Sequence, residues 1–171
     1  LQEVFNGLKS GEKFGFSFSE REWDGLQDAI REVANYSFLA EKLNDRGIEI
    51  VHVMEKFAYP RILKDNLKKD APVVIYTKGN TDLLNRDSIA IVGSRRSSNI
   101  SLEFTDRIAR FGVERHSVIV SGFAKGVDKQ ALNSALKYHG QSIIVLPQGI
   151  DTYKSKTYYQ ERVRGNVLVI S

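Results

Sequence analysis

A chain of 171 residues and 19.3 kDa, 42% hydrophobic and 27% charged, has room for one sizeable core and a small accessory unit but not for two large domains. It has no cysteine, which excludes disulfides, thiolate nucleophiles and thiolate-bound metals, and its three histidines, His52, His116 and His139, are too scattered for a ligand set. The net charge of +4 is uneven: residues 1–86 hold 13 Lys/Arg against 14 Asp/Glu, residues 87–171 hold 12 against 7, and the positive second half suits a polyanion such as nucleic acid.

In chain order, Ser19 to Glu22 forms a Ser-x-x-Glu capping box ahead of Trp23, Leu26, Ile30, Val33 and Ala34 at helical spacing, so a helix begins near residue 20. A second amphipathic stretch, Ser37 to Asp45, closes at Arg46-Gly47. Residues 1–46 therefore read as an N-terminal helical extension, with residues 47–171 as the main domain. Ile48 to Val53 alternates like a strand, and Ala58 to Lys64 reads as a turn and short helix opened by Pro60.

From Ala71 onward, β-branched runs alternate with helical stretches, the pattern of a parallel α/β sheet. Strands are predicted at Val73–Thr77, Ile89–Val92, Ser117–Ser121, Ser142–Leu146 and Asn166–Ile170, with helices over Leu102–Glu114, Val127–Tyr138 and Thr157–Val163. The expected fold is α/β: an extended Rossmann-like, doubly wound, mostly parallel sheet carrying the N-terminal helical extension. No apolar run approaches the roughly 20 residues that cross a bilayer, and no basic-then-apolar leader follows Leu1, so the expectation is a cytoplasmic protein without membrane contact.

Ligands of such sheets gather at the carboxyl ends of the strands, and three of those ends are chemically loaded. After the Ile89 strand come Gly93, Ser94, Arg95, Arg96, Ser97 and Ser98, where bare backbone, hydroxyls and guanidinium forks can hold phosphate oxygens. After the Val118 strand come Ser121, Gly122, Phe123, Ala124, Lys125 and Gly126. The two glycines expose backbone at a helix start, Lys125 supplies a point charge, and Phe123 can stack on a base or pack into the core. Asp128 reads as a cap or loop brace. The third end, Leu146 to Asp151, turns on Pro147 and Gly149. Neither a Walker A loop nor a dinucleotide-binding Gly-x-Gly-x-x-Gly follows any strand, and no nucleophile stands beside a base, so binding is favoured over catalysis and no cofactor or metal is expected.

Taken in order, these blocks resemble the DNA-processing protein A family (DprA, also called Smf). The matching residues are Gly47-Ile48; Tyr59-Pro60 with Leu63-Lys64; Ala71 to Tyr76 with Lys78-Gly79-Asn80; Ile91 to Arg95; Ser121 to Asp128; and Leu146 to Asp151. The resemblance covers roughly residues 45 to 171. It implies an extended Rossmann fold, often dimeric, that binds single-stranded DNA without sequence preference and helps load a RecA-type recombinase in natural transformation. It assigns the basic pocket to Arg95 and Lys125. The chain departs from the family where many members have histidine and proline and it has Leu132 and Lys154, and it stops at Ser171 where the family usually continues. Two other readings stay open: a small-nucleotide sensor using the same phosphate loops, and a nucleoside-monophosphate-processing Rossmann-like enzyme, whose Pro-Gly-Gly-x-Gly-Thr loop is replaced here by Leu146-Pro147-Gln148-Gly149-Ile150-Asp151.

Overall fold

The computed structural model describes residues 6, 7, 10, 11, 17–56, 58–153 and 158–171, and the chain divides into two compact units, Leu1–Arg46 and Gly47–Ser171. In the first unit α1 (Glu20–Arg31) opens with the capping box read from the sequence: Ser19 Oγ accepts the Glu22 N–H at 3.3 Å, and Glu22 Oε2 accepts the Ser19 N–H at 2.9 Å. The Ser19 hydroxyl, which donates to Glu22 Oε2 at 2.7 Å, and then the Ser19 N–H hold the Glu22 carboxyl below its usual range. The next helix, α2 (Val33–Asp45), starts earlier than the sequence suggests, because a single residue, Glu32, makes the turn before the helix resumes. Neither helix buries a residue completely.

The second unit is a six-stranded sheet: β1 (Glu49–His52), β2 (Val74–Gly79), β3 (Ser88–Ala90), β4 (Val118–Ser121), β5 (Ser142–Val145) and β6 (Val167–Ile170), in spatial order β1-β2-β6-β5-β4-β3. The four strands β3 to β6 are parallel, while β2 runs antiparallel to β6 and β1 antiparallel to β2. Helices α4 (Asn99–Glu114), α5 (Val127–Lys137) and α6 (Tyr159–Val163) make the crossovers; α3 (Arg61–Leu67) lies between β1 and β2 with Pro60 as its N-cap rather than its first helical residue. Helix α4 begins three residues ahead of its sequence-based start, because Ser98 caps it by accepting the Ser101 N–H.

Period-two alternation sorts the strands onto two cores. Ile119 joins Ala131 and Ala135 of α5 on the helical face. Val118, Ile143 and Leu168 point the other way, where they bury Leu83 to 1% exposure. Leu83 belongs to the 3₁₀ turn Thr81–Asn85, by which the chain crosses from β2, beside β6, to β3 at the far edge. Helices α4 and α5 lie side by side, tied by Asp106, whose carboxylate accepts the Ser134 and Tyr138 hydroxyls at 2.6 Å each. The Ser134 hydroxyl first, then that of Tyr138, holds this carboxyl below its usual range. Leu132, at a position where the family often has histidine, is fully buried in α5 and belongs to the core. Lys154 and the predicted start of the last helix at Thr157 lie outside the described residues.

Candidate nucleic-acid interface

The three loops singled out in the sequence meet at the carboxyl ends of β3, β4 and β5. They enclose a cavity of about 640 Å³ lined by Val92, Arg95, Gly122 to Lys125, Asp128 and Val145 to Gln148. The β3 and β4 loops are built against each other. The Ile91 N–H extends the ladder to Val120 O at 2.9 Å, and the buried Ser121 hydroxyl donates back to Ile91 O. Beyond the strands, the Val127 N–H donates to Ser94 O at 3.2 Å, and Asp128 Oδ1 accepts the Gly93 N–H at 3.2 Å.

Gly126 is what allows this approach. It is the N-cap of α5 at φ +92° and ψ −131°, and a Cβ there would lie 2.2 Å from Ser94 O and 3.0 Å from the Arg95 Cα and carbonyl carbon. Only glycine combines that conformation with that contact. The backbone that carries Arg95 therefore rests directly on the backbone beside Lys125.

Arg95, Gly122, Phe123 and Lys125 line the cavity; Gly93, Ser94 and Gly126 shape it from behind. Ser121 is committed to Ile91, and Arg96 and Gly149 lie outside the lining. The Ser94 hydroxyl closes a local turn, donating to Arg96 O at 2.9 Å and accepting the Arg96 N–H at 3.0 Å. Phe123 is half-buried in an aromatic cluster, edge-on to Tyr153 at 5.2 Å and to Tyr158 at 5.8 Å, with Lys129 Nζ 5.7 Å from its ring centre. Tyr158 is buried and donates to Asn133 Oδ1 at 2.6 Å; burial, with Tyr153 beside it, pushes its phenol up to about 12. Sequence reasoning did not place Gln148, Val92 or Val145 in the lining. The signal was weak, because Val92 and Val145 are apolar residues at or just past a strand end and read as core, and Gln148 carries no charge.

The chemistry of the cavity is two exposed cations above a half-apolar floor. Arg95 and Lys125 make no ion pair with the described residues, whereas Lys137, in a neighbouring cavity beside α4, is neutralised by Asp106 at 3.4 Å. Such an arrangement can hold a phosphate at its rim and a planar base against Phe123, Leu146 and Pro147. Among the described residues no group of three His, Asp or Glu is placed to hold a metal ion, and no helix is long and apolar enough to cross a membrane.

Comparison with known proteins points the same way. The family described as DNA recombination-mediator protein A matches residues 49–171, the whole of the sheet-bearing unit except its first two residues. The chain belongs to this family. It is 38% identical over 104 residues to the DNA processing protein DprA of Streptococcus pneumoniae, a match covering 60% of this chain and 36% of that protein. It is 36% identical over 117 residues to the protein Smf of Borreliella burgdorferi, covering 66% and 35%. The chain thus spans about a third of the length of these DprA and Smf relatives. Among solved structures, the X-ray structure of S. pneumoniae DprA superposes with a TM-score of 0.62 at 27% identity, over 99% of this chain and 62% of that one. The DprA of Helicobacter pylori, whose structure is described as giving insights into its unique single-stranded DNA binding mode, superposes with a TM-score of 0.55 at 28% identity, over 72% and 54%. The α/β architecture with its mostly parallel sheet is that of DprA.

Proposed function

We propose that this DprA-family chain binds single-stranded DNA without sequence preference, through the cavity formed by the β3, β4 and β5 loops. The observation that carries the reading is the pair of unneutralised cations, Arg95 and Lys125, facing one apolar-floored cavity at the strand ends. Arg95 supplies a fork and Lys125 a point charge for successive phosphate oxygens, while the apolar wall accepts an unstacked base of any identity. A duplex keeps its bases stacked inside and can use only the charges, so it binds less tightly. The family further supports a cytoplasmic binding protein rather than an enzyme, acting as a homodimer and passing DNA to a RecA-type recombinase.

Fluorescence anisotropy with a labelled oligonucleotide tests the reading, using unlabelled single strand, duplex and nucleoside monophosphates as competitors. Single strand of any composition is expected to compete best. Tighter binding of a mononucleotide would favour a nucleotide sensor, and turnover of that mononucleotide an enzyme.

A further inference from the structure

We infer that His116 and His139 together hold one divalent transition-metal ion, at the opposite end of the sheet from the strand-end cavity. Far apart in the chain, the two histidines line one cavity of about 200 Å³ at the amino ends of the parallel strands, beside Arg86, Gln141 and Asn166. Their placement follows from a motif used twice. At the end of α4 the His116 N–H donates to Val113 O at 2.9 Å and the Ser117 N–H to Gly112 O at 3.0 Å. At the end of α5 the His139 N–H donates to Leu136 O at 3.0 Å and the Gly140 N–H to Ala135 O at 2.8 Å. Each histidine is the left-handed residue of its motif, at φ 59° and 60°. The strands that follow, β4 and β5, are parallel neighbours in which Ile119 pairs with Ser142, and each histidine stands three residues ahead of its member of that pair. Equal backbone conformation at equal register starts the two side chains in the same direction, from strands about 4.8 Å apart. Helix α6 ends in the same motif with Gly165 at φ +79°, the residue this conformation favours, so the turn itself does not call for histidine.

The chemistry of the pair suits a metal. Both imidazoles are exposed, and neither makes a hydrogen bond or ion pair with the described residues, which leaves ring nitrogens to ligate. The Arg86 guanidinium is turned to Gln141 Oε1 at 2.8 Å. Two helices present their negative ends to the cavity, which favours a cation there over an anion. Imidazole nitrogen suits zinc, nickel and copper, whereas magnesium and calcium take oxygen ligands. Water fills the remaining coordination positions, and the ion clasps the α4–β4 turn to the α5–β5 turn.

The experiment is thermal unfolding of the untagged protein with zinc or nickel chloride, with magnesium chloride as the control, beside calorimetric titration for stoichiometry. One zinc ion is expected to bind per chain and, at about a hundredfold excess over its dissociation constant, to raise the unfolding midpoint by about 5–10 °C. Magnesium should leave the midpoint unchanged. His116→Gly and His139→Gly each remove a ligand at a position that glycine favours, so each variant should unfold at or above the parent's metal-free midpoint and lose most of the shift. His52→Ala, outside the cavity, should keep the shift. A midpoint unmoved by millimolar zinc and nickel, or a shift that survives in either glycine variant, overturns the inference. Either result leaves the DNA-binding reading standing, because that cavity lies at the other ends of the strands.

Discussion

Replacing Gly126 by alanine separates a site built from backbone from one that is merely basic. The substitution changes no charge. At φ +92° and ψ −131° an L-residue is strained by about 1–3 kcal/mol, and the added Cβ would lie 2.2 Å from Ser94 O, so the Ser94–Arg95 peptide must retreat by about an ångström to restore ordinary contact. A displacement of that size stretches a hydrogen bond from Arg95 to a phosphate beyond its useful range, a loss of about 1.5–3 kcal/mol or roughly ten- to hundredfold in affinity. The Val127 N–H bond to Ser94 O and the Asp128 bond to the Gly93 N–H weaken together, because both span the same pair of loops. The assay is anisotropy with a single-stranded oligonucleotide at two salt concentrations, beside thermal unfolding of the same samples. Affinity is expected to fall at least as far as in Lys125→Ala, in a protein that still unfolds cooperatively. Gly149→Ala, whose Cβ would meet nothing within 4 Å, is the matched control and should bind like the parent. Parent-like binding by a folded Gly126→Ala at both salts would refute the argument that loop contact positions Arg95.

Three further outcomes are expected. Arg95→Ala and Lys125→Ala should each weaken single-strand binding and flatten its salt dependence by about 0.7 in the logarithmic slope for every phosphate the protein no longer neutralises, whereas Arg96→Ala, outside the lining, should leave the slope near the parent's. Leu83→Ala should destabilise the protein by about 2–5 kcal/mol in urea denaturation, and a loss under about 1 kcal/mol would mean that the turn Thr81–Asn85 contributes little to the core. Tyr158 keeps its proton up to about pH 12 in the fold but releases it near 10 when unfolded, so its contribution to stability is full below pH 10 and is lost as pH rises through 12. Ultraviolet titration should show at least one phenol ionising late, with burial raising that of Tyr59 as well, and a single step for all tyrosines near pH 10 would contradict this.

The sequence made the strands legible where both faces are covered: the continuous run Val118-Ile119-Val120 can be little else, and a helix from Val127 follows from the glycine before it. Strand direction was not legible. Val74–Gly79 has the same β-branched texture as the parallel strands, yet it runs against β6, because direction is set by where the chain crosses the sheet, and the crossing that follows it is anchored by a tertiary contact of Leu83. Arg95 and Lys125 could be proposed from residue type and loop position alone. The role of Gly126 could not be read in full: its positive φ is a local property, but its contact with Ser94 joins loops about 30 residues apart, a separation that no sequence period reveals. The Tyr153 and Tyr158 edges against Phe123 are hidden for the same reason.

The pairing of β2 with β6 also has a kinetic side. Thr77 lies opposite Ile170, so this ladder closes a loop of roughly 90 residues, whereas β4 and β5 join through a single helix. Closure entropy delays the long loop until the short ones have formed, so α5 with β4 and β5 is the natural nucleus and the antiparallel β1–β2 pair docks late. Substitutions at the β2–β6 seam should therefore accelerate unfolding and leave the folding rate nearly untouched, while those at Ala131 or Ile119 should slow folding itself. During synthesis the β6 flank has no partner until β2, made long before it, returns to cover it.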